Sequence, residues 1–153
     1  MMRILRTIAV ASLIVSGSPI FTPAVAAPAV DAQIVLAVDA SYSIDEREYA
    51  LQLAGIAAAV RDPDVLAAIR GGPAGRIAIT LATWAEPRRP KDAAPWHLIG
   101  DRAGAERFAR RVEIHHRRVS GGTGIGHAVM FCIRLFEDNG FAGNRRIIDV
   151  SGD

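Results

Sequence analysis

Residues 33–43 read QIVLAVDASYS, and this stretch decides the fold. Residues 34–38 are apolar at every position, which predicts a β-strand that is buried on both faces. Such strands are typical of parallel sheets that helices cover on both sides. The strand ends on Asp39, and Ser41 and Ser43 follow at alternate positions, so in an extended turn their hydroxyl groups point the same way. The sequence therefore predicts a polar site at the carboxyl end of the first strand.

Short apolar runs and longer amphipathic runs alternate along the rest of the chain. Apolar side chains at helical spacing predict helices over residues 45–60, 101–113 and 125–136, and a short helical turn over 63–70. Strands are predicted over residues 76–84 and 145–150, with a loop at 85–95 and a short edge strand at 96–99. The resulting order, β-α-β-β-α-α-β, predicts an α/β fold. We expect an open, mostly parallel, doubly wound sheet with helices on both faces.

Two carboxylates and three hydroxyls fall at three separated places in this pattern. Asp39, Ser41 and Ser43 follow the first strand, Thr123 lies in SGGTGIG, and Asp153 ends IIDVSGD. Thr123 is also predicted to be the N-cap of the helix that follows it. In open α/β sheets the binding crevice lies beyond the carboxyl ends of the strands. If the first and last strands are neighbours, these oxygens form a site for a hard cation.

Three motifs together carry a resemblance to a known family. D-x-S-x-S after a buried strand, a Thr in a glycine-bounded loop and a strand that closes on an Asp resemble the metal-ion-dependent adhesion site of the von Willebrand factor type A (vWA) domain. More narrowly, VDASYSIDEREYALQ, SGGTGIGHA and RRIIDVSGD resemble an uncharacterised secreted bacterial branch of that superfamily. The resemblance covers most of residues 31–153, which we interpret as a partial vWA-like domain, related in architecture to Rossmann-like folds.

The resemblance implies a role for each residue of the predicted site. Ser41 and Ser43 would be direct hydroxyl ligands, Thr123 a further ligand in one state, and Asp39 and Asp153 would bind mainly through water. The implied ion is Mg²⁺, with Mn²⁺ or Ca²⁺ as substitutes. The implied function is adhesion-type binding of a protein that presents an Asp or Glu side chain to the metal, without enzymatic activity.

The amino-terminal residues predict the cellular compartment of the protein. Arg3 and Arg6 precede a short apolar stretch and a small-residue segment, which is the pattern of a signal peptide over residues 1–26. We therefore expect a periplasmic or secreted protein without a stable membrane anchor after cleavage. Removal of Arg3 and Arg6 reduces the eighteen Lys and Arg residues to sixteen, which equals the sixteen Asp and Glu residues. A nucleic-acid partner is not expected from this neutral balance.

Several other side chains are of types that can take part in different chemistry. The paired arginines, including Arg117-Arg118, are interpreted as solvated faces, and the pair His115-His116 as exposed loop in place of a zinc site. Cys132 lies in an apolar helical pattern and is expected to be buried and inert.

Asp149, within the last strand, is interpreted as a buried polar partner or a residue on the sheet face, not a ligand. The glycines around Thr123 lack the Lys-Ser/Thr of a P-loop.

One alternative function stays open, a periplasmic hydrolase that uses a metal or a serine, because hydroxyl groups would lie beside a cation. The chain length raises a separate expectation. Domains of the vWA type continue with further strand and helix units after the motif that ends at Asp153. We therefore expect a truncated chain that lacks its carboxyl-terminal strands, and a last strand that lies at an open edge of the sheet.

Overall fold

The computed structural model describes residues 26–86 and 92–152. Nearly all of the predicted signal peptide, residues 87–91 of the predicted loop at 85–95 and Asp153 therefore lie outside the described residues. The elements follow in the order β1 (Ala32–Asp39), α1 (Glu46–Arg61), α2 (Pro63–Arg70), β2 (Ile77–Trp84), β3 (Asp92–Ala93), β4 (His97–Ile99), α3 (Arg102–Glu113), α4 (Ile125–Arg134) and β5 (Arg146–Ser151).

The strands form one mixed sheet with the order β3-β2-β1-β5, and β4 also pairs with β2. The central strand β1 runs parallel to β2 and to β5. The short strands β3 and β4 run antiparallel to β2. The expected α/β fold with an open, mostly parallel sheet is confirmed.

Helices cover both faces of the sheet, as the sequence predicts. On one face, α1, α2 and α3 enclose the larger apolar core, in which Phe108 and Leu81 are fully buried. On the other face, α4 packs against β1 and β2, and Ala128 and Cys132 form part of a smaller core with Trp84. The strand β1 is therefore buried on both sides, because its alternate side chains enter two different cores.

Acidic side chains fix where three of the helices begin. Asp45 accepts a hydrogen bond from the backbone N–H of Glu48, and the Glu48 side chain accepts one from the N–H of Asp45, which forms a capping box at α1. At α2 and α3, the N-caps Asp62 and Asp101 accept hydrogen bonds from backbone N–H groups of the first turn through their carboxylates. These caps place the helix starts within one residue of the positions that the sequence predicts.

The start of α4 differs from the prediction. The N-cap is Gly124, and no side chain makes a capping hydrogen bond there. The prediction that Thr123 caps this helix is wrong, because the helix begins one residue too late for its hydroxyl to take that position. The predicted loop at 85–95 also contains the two-residue strand β3, which pairs with Ala82 and Thr83.

The last strand, β5, lies at the edge of the sheet in the described part of the chain, as expected. Its start is fixed by Gln33 of β1, whose side-chain amide donates to the carbonyls of Phe141 and Gly143 and accepts from Asn139. These bonds hold the turn that leads into β5 against β1. Asp149 is exposed, so it belongs to the sheet surface and is not a buried polar partner.

Two further features bear on the predictions. Cys132 is a free, buried thiol, and burial raises its pKa to about 11, which keeps it protonated and unreactive as predicted. Within residues 26–86 and 92–152, no helix has the length and apolar character needed to cross a membrane.

Candidate metal centre

Asp39 ends β1 and lies completely buried at the carboxyl edge of the sheet. One carboxylate oxygen, Oδ1, accepts a hydrogen bond of 2.7 Å from the backbone N–H of Ser41. The other oxygen, Oδ2, is buried and has no hydrogen-bond partner among the described residues. A buried carboxylate oxygen without a partner is costly, so this atom fits a bound cation or a water molecule.

The two predicted serine ligands lie together in the turn that follows Asp39. The hydroxyl oxygens of Ser41 and Ser43 are 3.1 Å apart. Ser41 is buried, while Ser43 is exposed at the surface of the turn. The two hydroxyls lie close together, and their separation is compatible with two oxygens that share one ion.

The tips of the first and last strands also lie side by side, as the predicted site requires. The register of β1 and β5 pairs Val38 with Ser151, so Gly152 comes next to Asp39. A Cβ atom added to Gly152 would lie 2.9 Å from Oδ2 of Asp39, so only glycine leaves this oxygen its space. Asp153 itself lies outside the described residues, and its predicted role as a ligand stays a prediction.

The glycine-rich loop reaches the same edge through a backbone contact. The N–H of Tyr42, between the two serines, donates to the carbonyl of Gly121 at 2.8 Å. Gly121 has a φ of +142°, and a Cβ there would lie 2.6 Å from Cγ of Glu86, which explains the need for glycine. Thr123 follows two residues later and is exposed. The loop is brought to the turn formed by residues 39–43, which we call the serine turn, whereas a contact of the Thr123 hydroxyl stays a prediction.

Arg117 is the residue beside the site that the sequence interpretation missed. Its guanidinium donates to the carbonyls of Ala40 and Ser41 at 2.9 and 2.7 Å. The Arg117 side chain is 13% exposed, whereas that of Arg118 is 70% exposed. The interpretation of this pair as a solvated face is therefore wrong for Arg117 and right for Arg118. A sequence pattern could not separate the two, because both neighbours are arginine.

His115, two residues before Arg117, is buried, although the sequence predicts an exposed loop. Its Nε2 lies 3.7 Å from Oδ2 of Asp92, too far for a hydrogen bond. The expected exposed loop is correct for His116 and wrong for His115. Burial lowers the pKa of His115 below 6.5, and the nearby Asp92 carboxylate opposes this shift only in part. Burial also raises the pKa of Tyr49 to about 12, so its phenol stays neutral.

The lowered pKa of His115 predicts that acid destabilises the fold. The unfolded chain binds a proton near pH 6.5, whereas the folded chain resists protonation until lower pH. The stabilisation is therefore complete above this pH and decreases as the pH falls towards the folded pKa. We expect the free energy of unfolding in urea to decrease from pH 7.5 to pH 5, and His115→Gln to reduce this dependence.

The neighbouring His116 provides the control for that measurement. His116→Gln removes an exposed imidazole from the same segment and should leave the pH dependence of wild type unchanged. If both variants retain the wild-type slope, His115 is not the group responsible.

The donor set around Asp39 has the chemistry of a hard-cation site. It combines a carboxylate with neutral hydroxyls, which are the oxygen ligands that Mg²⁺ prefers. Among the described residues, no group of three or more His, Cys, Asp or Glu side chains could hold a metal ion. Any metal at this edge would therefore depend on the serine and threonine hydroxyls as well as on carboxylates, and the orphaned oxygen of Asp39 fits such an ion.

Comparison with known proteins places the chain in a family. The family model described as "Protein of unknown function (DUF1194)" matches residues 29–153. The chain belongs to the DUF1194 family. The match confirms the expected uncharacterised domain, and it includes Asp39, Ser41, Ser43, Thr123 and Asp153 of this DUF1194 protein. A comparison with curated proteins finds no match for the chain.

Proposed function

We propose that this DUF1194 protein is a secreted, non-enzymatic module that binds a protein partner through a metal ion, in the manner of vWA domains. The observation that carries the proposal is the buried oxygen Oδ2 of Asp39, which lacks a partner at the point where the tips of β1 and β5 meet. The open α/β sheet and the resemblance of the three motifs to a metal-ion-dependent adhesion site support it.

Each member of the site has a proposed role. Ser41 and Ser43 would bind the ion directly through their hydroxyl oxygens, and Thr123 would be a further ligand in one state. Asp39 and Asp153 would hold it mainly through bound water and would supply the negative charge. The proposed ion is Mg²⁺, and Mn²⁺ or Ca²⁺ could substitute because both accept oxygen ligands.

This donor set would leave room for a partner. A bound Mg²⁺ would supply attraction for an anionic oxygen, because neutral hydroxyls compensate little of its charge and Mg²⁺ readily keeps exchangeable water. The serine turn would place two hydroxyl oxygens at the carboxyl edge of the sheet, where Ser43 is exposed and a partner could reach the ion. An Asp or Glu side chain of a protein partner is therefore the proposed occupant of the open position.

The predicted signal peptide supports a periplasmic or extracellular site of action. The neutral balance of charges after its removal is consistent with a protein partner and gives no support to nucleic-acid binding.

The hydrolase alternative is less well supported. A nucleophilic serine needs a base within hydrogen-bond reach, whereas the hydroxyl of Ser41 shares its hydrogen bond with Ser43. Metal-dependent turnover in a screen of esters and phosphoesters, lost in Ser41→Ala, would favour the hydrolase over the binding module.

Titration calorimetry with Mg²⁺ alone tests the proposed metal site. We expect heat of binding to the purified protein, and a raised unfolding midpoint that EDTA reverses. A ligand at one hundred times its Kd stabilises the native state by about 2.7 kcal/mol, which is readily measured. Absence of both binding heat and a change in the unfolding midpoint at millimolar Mg²⁺ would contradict the proposal.

A further inference from the structure

We infer that Arg117 is a positioning residue that holds the serine turn, residues 39–43, in the shape that a metal needs. This inference rests on the proposed function for its metal-binding consequence, whereas the contacts of Arg117 are seen directly in the structure. Arg117 comes from the segment between α3 and α4, far along the chain from the turn. It therefore links the two parts of the chain that supply the predicted hydroxyl ligands.

The contacts of Arg117 with the turn are made to its backbone carbonyls. One terminal nitrogen of the guanidinium donates to the carbonyls of Ala40 and Ser41, at 2.9 and 2.7 Å. The other terminal nitrogen donates to Glu46, the first residue of α1, at 3.2 Å. The planar group thus joins the turn to the helix that follows it, and holds the backbone on both sides of the Ser41 side chain.

A second set of contacts fixes Arg117 itself. Its guanidinium carbon lies 5.9 Å from the centre of the Tyr49 ring, which stays neutral and presents its face to the cation. The side chain is 13% exposed, so its charge is largely removed from water. A group that is held this rigidly loses little entropy when it orders the turn.

The glycine-rich loop completes the link. Arg117 lies four residues before Gly121, whose carbonyl accepts from the N–H of Tyr42 at 2.8 Å. The serine turn is therefore bonded twice to the segment that leads to Thr123, once through a side chain and once through backbone. Loss of the Arg117 bonds should loosen Ser41 and Ser43 relative to Thr123.

Electrostatics alone predicts the opposite effect, which makes the inference testable. A positive guanidinium close to a cation site weakens cation binding, so removal of the charge would strengthen it. Lysine keeps the charge but cannot donate from a planar fork to several acceptors. Arg117→Lys therefore tests geometry at constant charge, and Arg117→Gln tests geometry and charge together.

The experiment measures two properties of the full chain. Titration calorimetry with Mg²⁺ should show binding weakened at least about tenfold in both Arg117 variants, as is typical when a group that orients ligands is removed. Hydrogen exchange of the metal-free protein should show the amides of Tyr42 and Ile44 exchanging at least about tenfold faster, with the β1 amides unchanged. Arg118→Lys and Arg118→Gln are the matched controls and should resemble wild type in both measurements.

The two readouts separate the inference from the proposed function. If wild type binds no Mg²⁺, the proposed function fails, while faster exchange confined to the serine turn still supports the role of Arg117. If exchange of Tyr42 and Ile44 is unchanged in both Arg117 variants, or if Arg117→Gln binds Mg²⁺ more tightly than wild type, the inference is overturned.

Discussion

Replacement of Asp39 by alanine is expected to eliminate measurable Mg²⁺ binding. The substitution removes the buried oxygen Oδ2 and also the acceptor of the 2.7 Å bond from the Ser41 N–H. Both the negative charge of the site and the shape of the serine turn would be lost. We expect affinity to fall by roughly 100-fold or more, the upper range for groups that orient and polarise metal ligands. Titration calorimetry measures the loss directly.

Asp39→Asn is also expected to lose Mg²⁺ binding, and it separates the effect of the negative charge from the effect of the shape of the serine turn. The amide can still accept the Ser41 N–H bond, but it carries no charge. In metal-free buffer this variant should unfold at the same urea concentration as wild type or a higher one, because a buried, unpartnered carboxylate is costlier than an amide. With saturating Mg²⁺, wild type should become the more stable of the two.

Asp149→Asn provides the control for both Asp39 variants. Asp149 is an exposed carboxylate on β5, and the substitution changes the net charge of the protein by the same amount. It should leave Mg²⁺ affinity within about twofold of wild type, since exposed charges interact weakly through water. Wild-type affinity in Asp39→Asn would contradict the role of this carboxylate in the proposed site.

Replacement of Phe108 by alanine is expected to cause the largest loss of stability. Phe108 is fully buried where α3 packs on the sheet, and its ring lies 5.5 Å from the ring of His97. The substitution removes buried apolar surface and leaves a cavity, which together cost about 3–5 kcal/mol for a phenylalanine. This is a large part of the roughly 5–15 kcal/mol that is typical of folded domains. Urea unfolding of both proteins would measure the loss.

Leu51→Ala is the corresponding surface substitution. Leu51 lies on α1 and is 61% exposed, so its loss should change the free energy of unfolding by about 0.5 kcal/mol or less. A similar cost for both substitutions would show that α3 does not pack on the sheet as described.

The sequence predicted the sheet and the serine turn because their signals are local. An unbroken apolar run gave β1, and alternate serines after Asp39 gave two hydroxyls that lie 3.1 Å apart. The helices predicted at 45–60 and 101–113 begin within one residue of the observed starts of α1 and α3, where Asp45 and Asp101 are the N-caps. The adjacency of β1 and β5, which the predicted site required as a condition, is confirmed.

The features that the sequence did not predict depend on contacts between distant parts of the chain. The guanidinium of Arg117 lies over the ring of Tyr49 of α1. No local pattern distinguishes His115 and Arg117 from their exposed neighbours His116 and Arg118. The strand β3 is too short for a periodic signal and exists through its pairing with β2. At α4, the sequence pattern favoured a hydroxyl cap, although Gly124 takes that position.

Anomalous diffraction from crystals grown with Mn²⁺ would test the central claim most directly. The account predicts one Mn²⁺ peak at the carboxyl edge of the sheet, bonded to the hydroxyl oxygens of Ser41 and Ser43, with Thr123 and Asp153 facing it. A peak elsewhere, or Asp153 turned away from Asp39 with no ion between the serines, would contradict the account.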